Sequence, residues 1–184
     1  LPKAALDTIS QGAYVLAEPG EVGLKKAAQA VIIASGSEVQ LALHAQQLLA
    51  AHGIAVRVVS MPSTTVFDRQ SVAYKSQVLP ARLPRIAVEA GVTDGWWKYG
   101  CAAVLGLDRF GESAPASALF PLFHFTPQNL ADIVRNPALA PAAASLAQDP
   151  WPAEPFVDAV NLTPIEGPGA NDFGFTAAFR STTA

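Results

Sequence analysis

Short apolar runs alternate with segments of helical spacing over the first 136 residues. The runs at 13–17, 29–34, 55–60 and 85–89 are apolar and rich in β-branched residues, and the second is nearly continuous, as in a strand that is covered on both faces. Apolar positions close to helical spacing follow the second run and stop at His52 and Gly53, which predicts a helix there. The chain therefore begins with the strand–helix–strand order of a βαβ unit.

Three further helices are predicted downstream. They cover 68–77, 96–105 and 127–135, and the last has Thr126 in position to be its N-cap and Pro127 as its first residue. Alternating strands and helices with right-handed crossovers produce a mostly parallel sheet between helical layers. We therefore predict a three-layer αβα domain of the α/β class.

The composition changes near Asn136. Residues 1–136 contain eleven basic and ten acidic residues, whereas residues 137–184 contain one basic and five acidic residues. Seven of the 15 prolines also fall in this last part, and proline denies the backbone the hydrogen bonds of a regular element. We expect residues 137–184 to form an extended or loosely packed C-terminal extension.

The overall composition excludes several classes of protein. Apolar residues make up 51% of the 184 residues, which is enough for a folded core. The formal charge of −3 supplies no basic surface for nucleic acid or anionic lipid, and no apolar stretch is long enough to span a membrane. Cys101 is the single cysteine, so we expect neither a disulfide nor a thiolate metal site, and a reducing cytoplasm is the expected location. Because the chain does not begin with Met, we expect it to be part of a longer polypeptide.

The turn at 35–38 is the first candidate for chemistry. Ser35, Gly36, Ser37 and Glu38 lie where a predicted strand meets a predicted helix, and free N–H groups with a helix dipole at such a place can hold a phosphate or another anion. In the simpler alternative, Ser35 or Ser37 caps the helix and Gly36 permits the turn. We favour this alternative, because the turn has neither a three-glycine fingerprint nor a P-loop lysine.

Glu89 is the second candidate. It ends a predicted buried strand, and the carboxyl ends of parallel strands are where α/β folds place ligands. In the alternative, which we favour, it pairs with a cation or accepts bonds from loop N–H groups. Asp94, Asp108 and Glu112 are the other carboxylates that could pair with it for acid–base work, at separations that sequence does not set.

Aromatic, histidine and cysteine side chains complete the candidates. Trp96, Trp97 and Tyr99 could stack on a ligand, but such clusters more often fill a core or a subunit contact, and we favour an interface. The spacing of the three histidines, His44, His52 and His124, does not suit a metal site, so we expect structural roles and no metal. Cys101 is expected on a helix as a buried thiol rather than as a nucleophile.

Several ordered sequence blocks resemble the C-terminal domain of transketolase. They are VIIASGSEV at 31–39, VRVVSMPS at 56–63, FD at 67–68 with Gln70, Tyr74 with VLP at 78–80, AVEAG at 87–91, WKY at 97–99, FGESAP at 110–115 and FTP at 125–127. The resemblance covers about residues 12–136. One departure is Gly100-Cys101, where the family usually has Val-Gly.

This resemblance implies a function that lies mostly outside the chain. Transketolases transfer a two-carbon ketol unit between sugar phosphates in the pentose phosphate pathway, using thiamine diphosphate and a divalent metal, Mg²⁺ or Ca²⁺. The family binds this cofactor between its first two domains, so no catalytic, cofactor-binding or metal-binding residue is carried over to this sequence. The third domain is an αβα unit with a five-stranded, mostly parallel sheet and is associated with dimer packing.

The resemblance also sets the expected boundaries and partners. Residues 1–11 would be the linker from a preceding domain, residues 12–136 the transketolase C-terminal domain, and residues 137–184 the extension. The partners would be the N-terminal and middle domains and a second copy, and the chain by itself would be inactive. Two alternatives stay open: a regulatory module that binds phosphate or nucleotide, and the equivalent domain of a related thiamine-dependent enzyme. The blocks at 61–63 and 111–115 favour transketolase.

Overall fold

A five-stranded sheet forms the centre of the computed structural model, which describes residues 7–137. The strands are β1 (Tyr14–Ala17), β2 (Ala30–Ala34), β3 (Val56–Ser60), β4 (Arg85–Val88) and β5 (Ala103–Leu105). Their order across the sheet is β1-β3-β2-β4-β5. The pairs β2–β3, β2–β4 and β4–β5 are parallel, and only β1, at the edge, runs antiparallel to its neighbour. The mostly parallel sheet is therefore confirmed.

In the part of the chain that the structure describes, five α-helices and two 3₁₀ helices lie between or after these strands. The α-helices are α1 (Glu38–Ala51), α2 (Thr64–Asp68), α3 (Val72–Val78), α4 (Ala116–Leu122) and α5 (Pro127–Arg135), and the 3₁₀ helices cover Pro19–Val22 and Asp94–Tyr99. As the sequence predicts, α1 ends at His52 and is followed by Gly53 with a φ of 75°. The hydroxyl of Thr126 accepts a hydrogen bond from the N–H of Asn129 and so caps α5. None of the described helices is long and apolar enough to cross a bilayer.

Two apolar clusters cover the two faces of the sheet. On one face, Leu41 and Leu49 of α1 and Leu130 and Ile133 of α5 pack against side chains such as Ile32. The cluster on the other face contains Val31, Ile33, Val59, Phe67, Val78, Trp96, Tyr99 and Val104. Neighbouring residues of β2 enter different clusters, because side chains alternate along a strand. The predicted three-layer αβα arrangement is therefore confirmed.

The predicted helix at 68–77 is wrong in its limits. The segment is divided into α2 and α3, and each of these short helices has its own serine cap. The Ser63 hydroxyl accepts from the N–H of Val66, and the Ser71 hydroxyl accepts from the N–H of Tyr74. Because a capping serine satisfies N–H groups that begin a helix, Ser71 starts a new helix after the turn at Arg69 and Gln70.

The predicted helix at 96–105 is also wrong. Only a 3₁₀ helix forms, over Asp94–Tyr99, and it ends at Gly100, which has a φ of 65°. Residues with a side chain rarely adopt that backbone conformation, so Gly100 is a natural end for the helix. Ala103, Val104 and Leu105 then form β5 and pair with β4, which gives this edge of the sheet its last strand.

The predicted C-terminal extension from 137 onward lies outside the described residues, apart from Pro137. The first six residues of the predicted linker also lie outside them. The three proposed boundaries therefore stay predictions.

Candidate functional site

The loops that follow β2, β4 and β5 meet at the carboxyl edge of the sheet. Because these neighbouring strands are parallel, they end on the same side, with Ala34 of β2 opposite Val88 of β4 and Val88 opposite Leu105 of β5. Ser35 and Glu89 are the residues that come next in β2 and β4. This is the edge at which an α/β fold commonly places its ligands.

Ser35 and Glu89 are joined by a short hydrogen bond. The Ser35 hydroxyl donates to Glu89 Oε2 over 2.5 Å, and both groups are partly buried. The bond brings together the two sites that the sequence predicts separately, although they lie 54 residues apart in the chain. The partner of the Glu89 carboxylate is therefore the hydroxyl of Ser35. The sequence instead predicts a cation or a loop N–H as its partner.

Ser37 and Glu38 form a second hydroxyl–carboxylate pair in the same turn. The Ser37 hydroxyl donates to Glu38 Oε1 over 2.8 Å, and Glu38, the first residue of α1, is only 3% exposed. Ser37 occupies the N-cap position, but its side chain makes no capping bond, so the prediction that a serine side chain caps this helix is wrong for Ser37. The role predicted for Gly36 is confirmed, since its φ is 50°.

The charges around this turn are unfavourable for an anion. The carboxylate of Glu38 already lies at the positive end of the α1 dipole, and Glu89 adds a second carboxylate nearby. The hydroxyls of Ser35 and Ser37 are both engaged as donors to these carboxylates. Phosphate binding at residues 35–38 stays a prediction, and the structure supplies no contact in its favour.

Thr93 and Asp108 connect the loops after β4 and β5. Asp108 Oδ1 accepts from the backbone N–H of Thr93, and Asp108 Oδ2 accepts from its hydroxyl, both over 2.8 Å. A Cβ on Gly106 would lie 2.6 Å from Thr93 Cγ2, so the two loops approach each other very closely. Asp108, a candidate for acid–base work, thus joins the two loops.

The other two candidate carboxylates lie apart from this contact. Glu112 forms an ion pair with Arg109 at 2.8 Å, and Asp94 is the exposed first residue of its 3₁₀ helix.

The predicted aromatic cluster is split between core and surface. Trp96 and Tyr99 are 7% and 8% exposed and belong to the apolar cluster described above, whereas Trp97 is 46% exposed. The Tyr99 hydroxyl donates to Asp68 Oδ1 over 2.9 Å, and Lys98 Nζ donates to Asp68 Oδ2 over 2.6 Å. Burial and the nearby carboxylate raise the pKa of Tyr99, while the bond from Lys98 lowers the pKa of Asp68. Tyr99 therefore stays a neutral hydrogen-bond donor at physiological pH.

Cys101 is only partly buried, whereas the sequence predicts a buried thiol, and its setting also differs from the predicted one. It lies between the 3₁₀ helix and β5 rather than within a helix, and its thiol donates to the carbonyl of Trp96 over 3.3 Å. Burial raises the pKa of the Cys101 thiol to about 11, so it is protonated and weakly nucleophilic at neutral pH. The prediction that it is not a nucleophile is consistent with this environment.

The residues of the carboxyl edge do not fit thiamine diphosphate with its metal. Within residues 7–137, no group of three or more His, Cys, Asp and Glu side chains converges as a metal site would require. The hydrogen bonds to Glu89, Glu38 and Asp108 come from hydroxyls and a backbone N–H, and Arg109 at this edge forms an ion pair with Glu112. We therefore assign no step of a thiamine-dependent reaction to this edge.

A basic cavity at the amino edge of the sheet was not predicted from the sequence. Its cationic residues are Lys25, Lys26, Arg57 and Arg82, which come from three separate segments of the chain. Only the adjacent pair Lys25-Lys26 is visible as a local motif, and a pair of lysines is ordinary on a surface. The strand order places Arg57 and Arg82 close to this lysine pair. For this reason no local sequence signal identifies the cluster.

Comparison with known proteins relates this fold and sequence to one enzyme family. A family model described as the transketolase-like TK C-terminal domain matches residues 12–126. Transketolase 1 of Pasteurella multocida is 47% identical over 130 residues, which cover 69% of this chain and 19% of that protein. Transketolase 1 of Vibrio cholerae is 50% identical over 126 residues, which cover 66% of this chain and 18% of that protein.

A solved structure supports the same assignment. The structure of transketolase from Leishmania mexicana superposes with a TM-score of 0.64 at 40% identity and covers 71% of this chain and 18% of that one. The chain thus spans only about 19% of the length of the curated relatives it matches. Because the family model matches more than half of its residues, this chain belongs to the transketolase family and contains the C-terminal domain of that family.

Proposed function

We propose that this domain is a non-catalytic part of a transketolase and stabilises the dimer of the parent enzyme. The parent would transfer two-carbon ketol units between sugar phosphates, with thiamine diphosphate and Mg²⁺ or Ca²⁺ held by its N-terminal and middle domains. Family membership supports the parent activity. The hydroxyl–carboxylate and loop-to-loop bonds of the carboxyl edge support a scaffolding role, since these polar groups satisfy one another.

The observation that carries the dimer role is the exposure of large apolar side chains on the loops at this edge. Val92 is 66% exposed, Trp97 46% and Phe110 81%. Val92 is next to Thr93, which is bonded to Asp108 near Phe110, so both loops are held in place before any partner arrives. Exposed apolar side chains on rigid loops are typical of a protein–protein contact.

The backbone that carries Trp97 is held in place, which adds to this proposal. Its two neighbours along the 3₁₀ helix, Trp96 and Lys98, are anchored by burial and by the ion pair to Asp68. Tryptophan is enriched at the centres of interfaces, and a well-placed backbone lowers the entropic cost of presenting it to a partner. A reducing cytoplasm suits the free thiol of Cys101 and is our proposed location.

Replacing Trp97 by Ala tests the dimer role. If Trp97 lies in the contact, the dissociation constant of the dimer should rise by about tenfold or more, because a central interface tryptophan typically contributes more than ~1.4 kcal/mol. Sedimentation equilibrium of the chain gives this constant directly.

Val72→Ala is the matched control. Val72 is 77% exposed, but it lies on α3 and not on the loops after β4 and β5 that carry the proposed contact. This variant should leave the dissociation constant unchanged. An equal effect of both substitutions, or none from Trp97→Ala, would count against the proposed contact.

A further inference from the structure

A concave surface at the amino edge of the sheet has the size of a small-molecule site. Its volume is about 360 Å³, which lies within the range of ligand sites in proteins. It is lined by segments 18–20 and 24–28, together with Arg57, Pro80, Arg82 and Leu83. Because β1 runs antiparallel to β3, its end at Ala17 lies at the same edge of the sheet as the beginnings of β2, β3 and β4. We refer to this surface as the basic cavity.

The basic cavity contains four cations and one carboxylate. Arg57 is held in place by an ion pair with Glu18 at 2.6 Å and by a bond to the carbonyl of Gln77 at 2.7 Å. Lys25, Lys26 and Arg82 are exposed, and none of them takes part in an ion pair within residues 7–137. Since the whole chain carries a charge of −3, this concentration of positive charge is local.

The backbone that presents the two lysines is well defined. The 3₁₀ helix Pro19–Val22 ends at Gly23, whose φ is 82°, and the N–H of Leu24 donates to the carbonyl of Pro19 over 3.1 Å. This turn sets the start of the 24–28 segment. The apolar side chains of Leu24 and Leu83, with Pro80, provide an apolar surface between the charges.

We propose that the basic cavity binds a small phosphorylated metabolite. Several cations around a concave surface attract a dianionic phosphate, and the apolar part accommodates a short carbon skeleton. The turn at 35–38 has the opposite charge, because there two carboxylates occupy the place where sequence suggests an anion. This site is independent of the dimer contact, since it lies at the opposite edge of the sheet.

Glycerol 3-phosphate is a suitable probe, with glycerol as its uncharged counterpart. Titration of the full ¹⁵N-labelled chain, followed by ¹H–¹⁵N correlation spectra, should show saturable shifts confined to amides of 18–28, 57 and 80–83. Inorganic phosphate should bind more weakly at the same amides, and glycerol should cause no saturable shift. Absence of saturable binding by glycerol 3-phosphate, or shifts spread evenly over the domain, would overturn the proposal.

A double variant, Lys26→Gln with Arg82→Gln, tests the residues. Both side chains are exposed, so the ¹H–¹⁵N spectrum of the ligand-free double variant should resemble that of the parent. The affinity for glycerol 3-phosphate should fall by about tenfold or more. Arg69→Gln is the control, because it removes an exposed charge near the opposite edge and should leave the affinity unchanged.

Two outcomes of these variants would overturn the proposal. One is an equal loss of affinity in the control and the double variant, which would show general charge attraction. The other is binding of a polyglutamate peptide by the basic cavity without binding of glycerol 3-phosphate, which would identify an acidic polypeptide as its occupant.

Discussion

At the scale of single residues, Gly12 has the least room for substitution among the described glycines. A Cβ at this position would lie 2.5 Å from the backbone nitrogen of Phe67 and 2.6 Å from the carbonyl oxygen of Ser63. Gly12 also has a φ of 87°, and its carbonyl accepts from the N–H of Ser63 over 3.0 Å. Residue 12 thus holds the chain against the start of α2, immediately before β1.

Gly12→Ala should therefore lower the free energy of unfolding by about 2–4 kcal/mol, since it adds a backbone clash to left-handed strain. Gly23→Ala is the control for strain alone, because Gly23 has a similar φ of 82° but nothing within 4 Å of its Cβ position. That control should cost about 1 kcal/mol. Urea titrations of both variants measure the difference, and equal losses would show that the space around Gly12 is not limiting.

At the scale of elements, Asp68 connects α2 to the 3₁₀ helix Asp94–Tyr99. It accepts hydrogen bonds from Tyr99 and Lys98, and its own backbone carbonyl accepts from Lys75 of α3 over 3.1 Å. One residue at the end of a short helix therefore ties three elements together. The serine caps define where α2 and α3 start. The contacts of Asp68 set how these helices are placed against the 3₁₀ helix.

The lowered pKa of Asp68 predicts a pH-dependent contribution to stability. A carboxyl group whose pKa is lower in the folded state stabilises that state above its unfolded pKa, near 3.8, and loses this effect as the pH falls through its folded pKa. Asp68→Asn should cost about 0.5–1 kcal/mol at neutral pH, a small value because the side chain is 41% exposed. The difference from the parent should be present above pH 3.8 and shrink progressively toward zero as the pH falls below this value.

Denaturation of the parent and of Asp68→Asn across this pH range measures the effect. Asp94→Asn, which removes an exposed carboxylate from the neighbouring 3₁₀ helix, serves as the control for a change of net charge. A constant difference between the parent and Asp68→Asn at all pH values would contradict the assigned role of the ionised carboxylate.

At the scale of the whole molecule, the chain should show no ketol transfer by itself. Its carboxyl edge does not fit thiamine diphosphate with its metal, as described above, and the chain spans about 19% of the length of its curated relatives. An assay with sugar phosphates, thiamine diphosphate and Mg²⁺ should give no turnover above the buffer blank. Turnover that co-purifies with the chain and survives further chromatography would refute the non-catalytic role.

Much of the fold could be predicted from local pattern. The runs at 29–34, 55–60 and 85–89 correspond to β2, β3 and β4, because a strand that is buried on both faces must be apolar at nearly every position. The strand β5 is not recognisable in this way, and the sequence pattern wrongly predicts a helix over it. Three apolar residues carry no period, and only pairing with β4 distinguishes Ala103–Leu105 from the end of a helix.

The candidate site was less predictable than the fold. The sequence identified Ser35 and Glu89 as separate candidates, but their hydrogen bond depends on the adjacency of β2 and β4. The basic cavity depends likewise on the antiparallel placement of β1 at the sheet edge. Strand order is set by non-local contacts, and no local spacing of residues encodes it.

The sequence by itself determined the family, the fold class and the three central strands, because apolar periodicity and ordered motifs are local properties of the chain. Tertiary structure alone decided which polar groups meet. It paired Ser35 with Glu89, buried Trp96 while leaving Trp97 at the surface, and gathered Lys25, Arg57 and Arg82 around one cavity. The physical reason is that charge and hydrogen bonding act through space, between residues that only folding brings within a few ångströms of each other.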